Sequence, residues 1–204
     1  MMSHISHHQS YAQPRYQNFV HFSKDIENTT RCDLDLQIKL WPNDNHMLRN
    51  GIMTLAASGR MHHSVEKIIF VDFNVANLKI FLNTHWASQF RDYKIVLICD
   101  RHMLALATFW FYHPLYSKII SAIIFTFDKI DAVGKKIDAV LDGKSVPPAR
   151  SILRLSFTEF LILQLISLGV KIKEIAYQCN YNAKTVYTYK NRIERKMNIR
   201  LPKA

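Results

Sequence analysis

The sequence predicts an α/β domain built on a doubly wound parallel sheet, followed by an all-α domain. Three observations carry this reading. Between residues 34 and 141 short apolar runs alternate with segments of helical spacing. That is the texture of parallel strands joined by crossover helices, with right-handed crossovers expected. At Lys144-Ser145-Val146-Pro147-Pro148 the texture stops. Two prolines cannot continue a helix, and their small, polar neighbours bury little. Beyond Arg154 every periodic segment is helical.

Taken in order, residues 1–30 are polar, with scattered His, Gln, Ser and Asn, and read as a flexible tail. His4, His7, His8 and His21 lie there, but a loose tail has no preorganised geometry for a metal, and neither metal nor cofactor is expected. Residues 31–144 form the α/β domain. Leu34, Leu36, Ile38 and Leu40 alternate with polar residues as a strand does, and a loop follows at Asn43-Asp44-Asn45. Residues 47–57 have helical spacing. Lys67 to Val71 is an apolar run ending at Asp72, the pattern of a strand buried on both faces. A short helix over 77–83, a strand over 93–98, an apolar helix over 103–112 and a strand over 119–127 come next. A helix over 132–141 is closed by Gly143. Residues 145–152 are the linker, and 153–204 the helical domain.

Charge divides unevenly along this plan. The chain carries +11, and from residue 149 onward eleven basic side chains face only Glu159, Glu174 and Glu194, so that +8 of it sits in the last quarter. A basic terminal module implies a polyanionic partner, nucleic acid first and an anionic membrane surface second; the plainer alternative is a solvated charged face. Cys32, Cys99 and Cys179 form no CxxC pair, which fits a reducing cytosol and a cytoplasmic protein. The stretch from Met103 to Phe127 is apolar, but His113, Pro114 and Lys118 break it into pieces too short to span about 30 Å of hydrocarbon. It reads as a buried helix and a buried strand, with no membrane partner. No Ser/His/Asp set and no glycine-rich phosphate loop is present, so an enzyme is not expected.

The C-terminal pattern is the most informative. Phe157, Phe160, Leu161, Leu163, Leu165, Ile166 and Leu168 form one apolar helix, and Gly169 ends it. A second helix runs over 171–178, with Ala176 small enough for close approach. Residues 179–181 turn, and Asn182 caps a third helix over 183–197. Val186 and Ile193 mark its inward face. Lys184, Thr185, Tyr187, Thr188, Lys190, Asn191, Arg192 and Arg195 occupy the others. Basic and hydrogen-bonding side chains on one exposed helix suit a major groove.

Leu155-Ser156, Glu159, Gly169, Lys173-Glu174-Ile175-Ala176, Lys184-Thr185-Val186, Ile193 and Lys196 fall at the spacing of the LuxR/FixJ/NarL helix-turn-helix, which this segment resembles. The resemblance implies that 183–197 is the recognition helix. Tyr187, Thr188 and Asn191 would face base edges, and Lys184, Thr185, Arg192 and Arg195 would lie nearer phosphates. Three departures stand out. Thr158 replaces the usual Arg before Glu159, and Tyr189 the usual His. Ala204 leaves little room for the fourth helix that often dimerises such modules.

The first domain is similar to the receiver domain of two-component regulators. Asn43-Asp44 followed by Arg49-Asn50-Gly51-Ile52 resembles the paired acids and the helix after them, and Asp72 takes the phosphoacceptor position. Phosphorylation there needs Mg²⁺ held by clustered carboxylates and a lysine facing the phosphoryl charge. Asn43 replaces one acid, Ile98 or Cys99 the switch hydroxyl, and Thr126 the lysine. Asp44 and Asp72 remain as a vestigial site. A degenerate receiver with a LuxR-type terminus resembles the enterobacterial capsule and fimbriae regulators of the RcsA, RmpA and EcpR types. The expectation is a transcription regulator that binds double-stranded promoter DNA without its own phosphorylation, as a homodimer or a heterodimer with another LuxR-type response regulator. Phe109-Trp110-Phe111-Tyr112 is a candidate pairing surface, with a core role the more usual one for such a cluster. The alternatives are a response regulator switched at Asp72 and a module that only sequesters a partner protein.

Overall fold

The computed structural model describes residues 38–42, 44–57, 67–150 and 153–202. The expected tail, Asn43 and the strand positions Leu34 and Leu36 lie outside them. Four parallel strands, β1 (Ile38–Trp41), β2 (Ile68–Phe73), β3 (Lys94–Cys99) and β4 (Ile120–Phe125), form one sheet in the order β1-β2-β3-β4. β2 is buried at all six positions, which is why its sequence is an unbroken apolar run up to Asp72. Alternate side chains feed two cores. On one face Ile68, Phe70, Val96, Ala122 and Ile124 pack against α1 (His46–Ala57) and α4 (Ile130–Leu141). On the other, Ile69, Val71, Phe73, Ile95 and Leu97 meet α2 (Leu78–Phe81) and α3 (Leu104–Phe111).

Helices thus cover both faces, as a doubly wound sheet requires. α1 and α4 lie on one face and α2 and α3 on the other, and the chain between α1 and β2 runs through residues 58–66, which lie outside the described residues.

Between β3 and β4 the register slips by one residue: Ile95 pairs Ile120 and Val96 pairs Ala122, leaving Ser121 as a bulge. The Ser121 carbonyl accepts hydrogen bonds from the Val146 backbone N–H at 2.7 Å and the Ser145 hydroxyl at 3.3 Å. Val146 bridges Ala122 and so covers part of the β4 edge.

The helical segment comprises α5 (Phe157–Ser167), α6 (Ile172–Gln178) and α7 (Ala183–Met197). Ser156 and Glu159 form a reciprocal capping box at the start of α5. Gly169, at φ +79, ends it in the left-handed region that favours glycine. Asn180 and Asn198 adopt positive φ at the α6–α7 turn and after α7, a conformation asparagine tolerates better than most residues. Ile162, Leu163, Ile175, Val186, Ile193 and Met197 make the fully buried centre of this three-helix unit.

These helices do not hang from the sheet by a chain alone. Every residue of α3 from Ala105 to Phe111 is buried. One side of α3 meets the sheet; the other meets α5, where the Phe109 and Phe160 rings stack with centroids 4.6 Å apart. Leu155 donates its N–H to the Ala105 carbonyl at 3.2 Å, and the Gln164 amide donates to the Leu82 carbonyl at 2.8 Å. The aromatic segment expected as a candidate pairing surface is therefore core in Phe109, Trp110 and Phe111, and only Tyr112 is exposed, at 43%. The reason is that α3 has an apolar cover on two sides, and those rings fill it.

Candidate nucleic-acid interface

α7 is amphipathic by construction. Val186, Ile193 and Met197 fall on one buried stripe, which draws the rest of the helix outward. Its first turn is fixed by Asn182, whose side-chain oxygen accepts the Thr185 N–H at 2.8 Å and the Thr185 hydroxyl at 3.0 Å. Lys184, Tyr187, Thr188, Asn191, Arg192 and Arg195 are all exposed on the outer face, and Thr185 is half-buried because its hydroxyl serves the cap. Lys184, Tyr187 or Thr188, Asn191 and Arg195 recur at helical spacing, so one surface stripe carries them. The Thr188 hydroxyl donates back to the Lys184 carbonyl at 3.0 Å and keeps its lone pairs outward.

The basic residues divide into two sets. Lys190 pairs with Glu194 at 2.7 Å, and the Glu194 oxygen also accepts the Leu201 N–H at 2.9 Å. Those hydrogen bonds hold the Glu194 carboxyl below its ordinary value of 4.5. Lys196 donates to the buried Glu159 carboxylate at 2.6 Å and to the Arg154 carbonyl at 2.9 Å. Glu159 in turn accepts the Ser156 N–H at 2.7 Å. These two lysines hold the fold together. By contrast no carboxylate bridges Lys184, Arg192 or Arg195 among the described residues, and Arg192 lies over the Tyr189 ring at 5.8 Å. Three uncompensated cations on an exposed helix create a field that attracts a polyanion.

The second group of sequence-derived residues gathers at the C-terminal end of the sheet. Asp72 is 5% exposed, and its Oδ2 accepts a hydrogen bond from the Asn45 amide at 2.8 Å. Asn45 also caps α1, accepting the Leu48 N–H at 3.0 Å. Asp44 is exposed and lines the same open recess of about 400 Å³ as Asp72, with Asn45, His46, Asn74 and Asn77 among the other walls. Ile98 is half-buried and Cys99 buried; Thr126 is exposed, its N–H bonded to the Cys99 carbonyl at 3.1 Å. Magnesium prefers several carboxylate or water oxygens in octahedral array. Here an amide N–H is aimed at the central carboxylate, and no group of three His, Cys, Asp or Glu suited to a metal exists among the described residues. The side chains present do not fit the ion.

Three residues at this end escaped the sequence reading. Asn45 locks Asp72. Asp100 gathers the N–H groups of His102 and Met103 on Oδ1, at 2.8 and 2.9 Å, and that of Val75 on Oδ2, at 3.2 Å. His102 then reaches the end of α7. Asn45 carried a signal as a cap before a helix, and Asp100 as an aspartate two and three residues ahead of its donors; His102 carried none.

Comparison with known proteins follows the same division. Residues 17–141 match the family described as the EcpR N-terminal domain, and residues 153–201 match bacterial regulatory proteins of the luxR family. The uncharacterized protein YqeH of Escherichia coli (strain K12) is 30% identical over 168 residues, 78% of this chain and 74% of that protein. Among solved structures, RcsB from Salmonella enterica serovar Typhimurium bound to promoter rprA is 15% identical, covering 81% of this chain and 96% of that one, with a TM-score of 0.40. Full-length FixJ from B. japonicum is 14% identical, covering 79% and 89%, with a TM-score of 0.36. No helix among the described residues is long and apolar enough to cross a membrane. With the matched N-terminal domain spanning well over half of the chain and the basic three-helix unit following it, the protein belongs to the EcpR N-terminal domain family and is a DNA-binding transcription regulator with a LuxR-type helix-turn-helix.

Proposed function

We propose that the protein regulates promoters by laying α7 in the major groove, acts without phosphorylation of its own, and works with a LuxR-type partner regulator or a second copy. The observation that carries this is the free outer face of α7. Lys184, Arg192 and Arg195 are unmatched by carboxylates there, and Tyr187 and Asn191 offer exposed polar ends for base edges. Independence from phosphorylation is supported by the Asn45 amide on Asp72, which leaves the carboxylate a structural acceptor. The reading as an activator of capsule or fimbriae genes rests on the family resemblance, as does the division into a receiver-like domain at 31–144 and a DNA-binding domain at 153–204. Pairing is argued from surface: one helix-turn-helix covers a modest area of duplex, and specific affinity ordinarily takes two on adjacent half-sites.

Gel-shift titration over a salt series tests the reader. Lys184→Ala and Arg192→Ala are expected to weaken binding on all sequences and each to lower the salt slope by about 0.9. Asn191→Ala should change the preference at one base position by about 1–3 kcal/mol. Parent-like binding by all three would show that α7 is not the reader. Footprinting of the chain alone and mixed with a candidate partner tests pairing; tight, partner-independent binding as a monomer would rule it out.

A further inference from the structure

We propose that His102 is a positioning residue for DNA recognition: from the α/β lobe it holds the C-terminal end of α7, presenting the recognition helix at a set angle with its outer face already open. The proposal rests on the reading of α7 as the DNA reader. His102 Nδ1 lies 3.2 Å from the Met197 carbonyl oxygen and 3.0 Å from that of Asn198. Both partners only accept, so Nδ1 carries the hydrogen and the ring donates to both. The last carbonyls of a helix lack intrahelical partners and carry the negative end of its dipole, so a donor is favoured there. Among the described residues this is the one polar contact that reaches α7 from the α/β lobe.

The clamp has a firm base. The N–H of His102 and that of Met103 are both held by Asp100 Oδ1, and Asp100 Oδ2 takes the Val75 N–H. The backbone beneath the imidazole is thereby tied to the loop that leaves β2, at Val75, just beyond Asp72 in the chain. Leverage makes the contact matter. Lys184 is thirteen residues from Met197, about 20 Å along the helix. A swing of about 10° about the clamped end would move Lys184 by roughly 3 Å, beyond the tolerance of a directed hydrogen bond to a base or phosphate. Meanwhile Tyr187, Asn191 and Arg195 all stay exposed with the clamp closed. The docked form is therefore the form that reads DNA.

The test uses the full chain, with His102→Ala and His102→Asn, whose amide can place an N–H near the position of Nδ1. The probes are a duplex enriched by the parent from a random-sequence pool, long enough for two half-sites (about 30 base pairs), and the unselected pool itself. His102→Ala should bind the enriched duplex about tenfold more weakly, the worth of one lost hydrogen bond of this kind. Its affinity for the unselected pool and its salt slope should match the parent, and His102→Asn should recover most of the loss. Urea midpoints of all three chains separate folding from positioning. The proposal is overturned if His102→Ala keeps the parent's preference, if its salt slope falls (His102 then touches phosphate), or if His102→Asn fails to rescue binding in a chain as stable as the parent. If the parent itself shows no salt-dependent binding to either probe, the DNA reading fails before the clamp is reached, and that outcome is visible in the parent alone.

Discussion

The end of the sheet around Asp72 and the outer face of α7 are both crowded with polar side chains, yet they use them in opposite ways. At the sheet end nearly every group is answered from within. Asp72 takes the Asn45 amide, Asp100 takes three backbone N–H groups, and the Asn74 side chain takes the Asn77 N–H. On α7 the cations of Lys184 and Arg195 and the amide of Asn191 face water. A polar group satisfied inside the chain stabilises it and has little left for a ligand. One left outside adds nothing to folding and is available for recognition. On the proposed reading, the sheet end does structural work and the outer face of α7 does the binding.

Mutations can break or sharpen that contrast, and the largest effect belongs to Glu159. It is 2% exposed and joins Lys196 to the cap of α5. Glu159→Ala strands the lysine and is expected to lower stability by about 3 kcal/mol in urea unfolding, as removal of one partner of a buried pair does. A loss near zero would mean that the pair is idle. Next comes Asp72. Asp72→Ala should cost about 1.5 kcal/mol through the lost Asn45 bond. Asp72→Asn, which can still accept that bond, should cost less and leave DNA binding near normal. A stable acyl phosphate at Asp72 from a small phosphodonor, seen as a mobility shift absent from Asp72→Asn, would instead return the sheet end to a switching role. Arg195→Ala should lie within about 0.5 kcal/mol of the parent in stability, as for an exposed site, while weakening DNA binding. The smallest effect is in acid. Because the Glu194 carboxyl is held low in the folded chain, its contribution is fully present above its ordinary value of 4.5 and is lost as pH falls through the lower, folded value. Acid titration of Glu194→Gln should lack that part of the fall, and an identical profile would show that Glu194 is not responsible.

Much of this was legible in the residues. The continuous run up to Asp72 marked β2, Asn182 marked the start of α7 to the residue, and Gly169 marked the end of α5. Element ends were less so. β4 stops at Phe125 because Asp128 accepts its N–H at 3.0 Å and turns the chain, where an apolar run to Phe127 suggested more strand. α4 starts at Ile130, two residues early, with Lys129 as its uncapped N-cap. Docking of the three-helix unit on α3 was missed, though a signal existed. A helix in an outer layer keeps one wet face, and the run from Leu104 to Phe111 has only Thr108 to offer. Such a helix must be covered twice, by the sheet and by something else. The Asn45–Asp72 bond left no trace, because a single contact over 27 residues has no period to read.

Val146 has a kinetic consequence. Its N–H is fixed to the β4 bulge, and the N–H of Leu155 is fixed to α3, so that residues 147–154 alone join two anchored points. A tether that short confines the three-helix unit at an effective concentration of order millimolar to its own docking surface. Return of a unit that breaks away is then a first-order step that does not depend on protein concentration, at the pace of domain docking, about milliseconds or slower, and not of bare loop closure. The contact between Phe109 and Phe160 therefore does not need the area of an interface between separate proteins. Doubling the tether would weaken it by only about 0.6 kcal/mol; cutting the tether would leave two halves that part at any dilution where their own surface is the sole attraction.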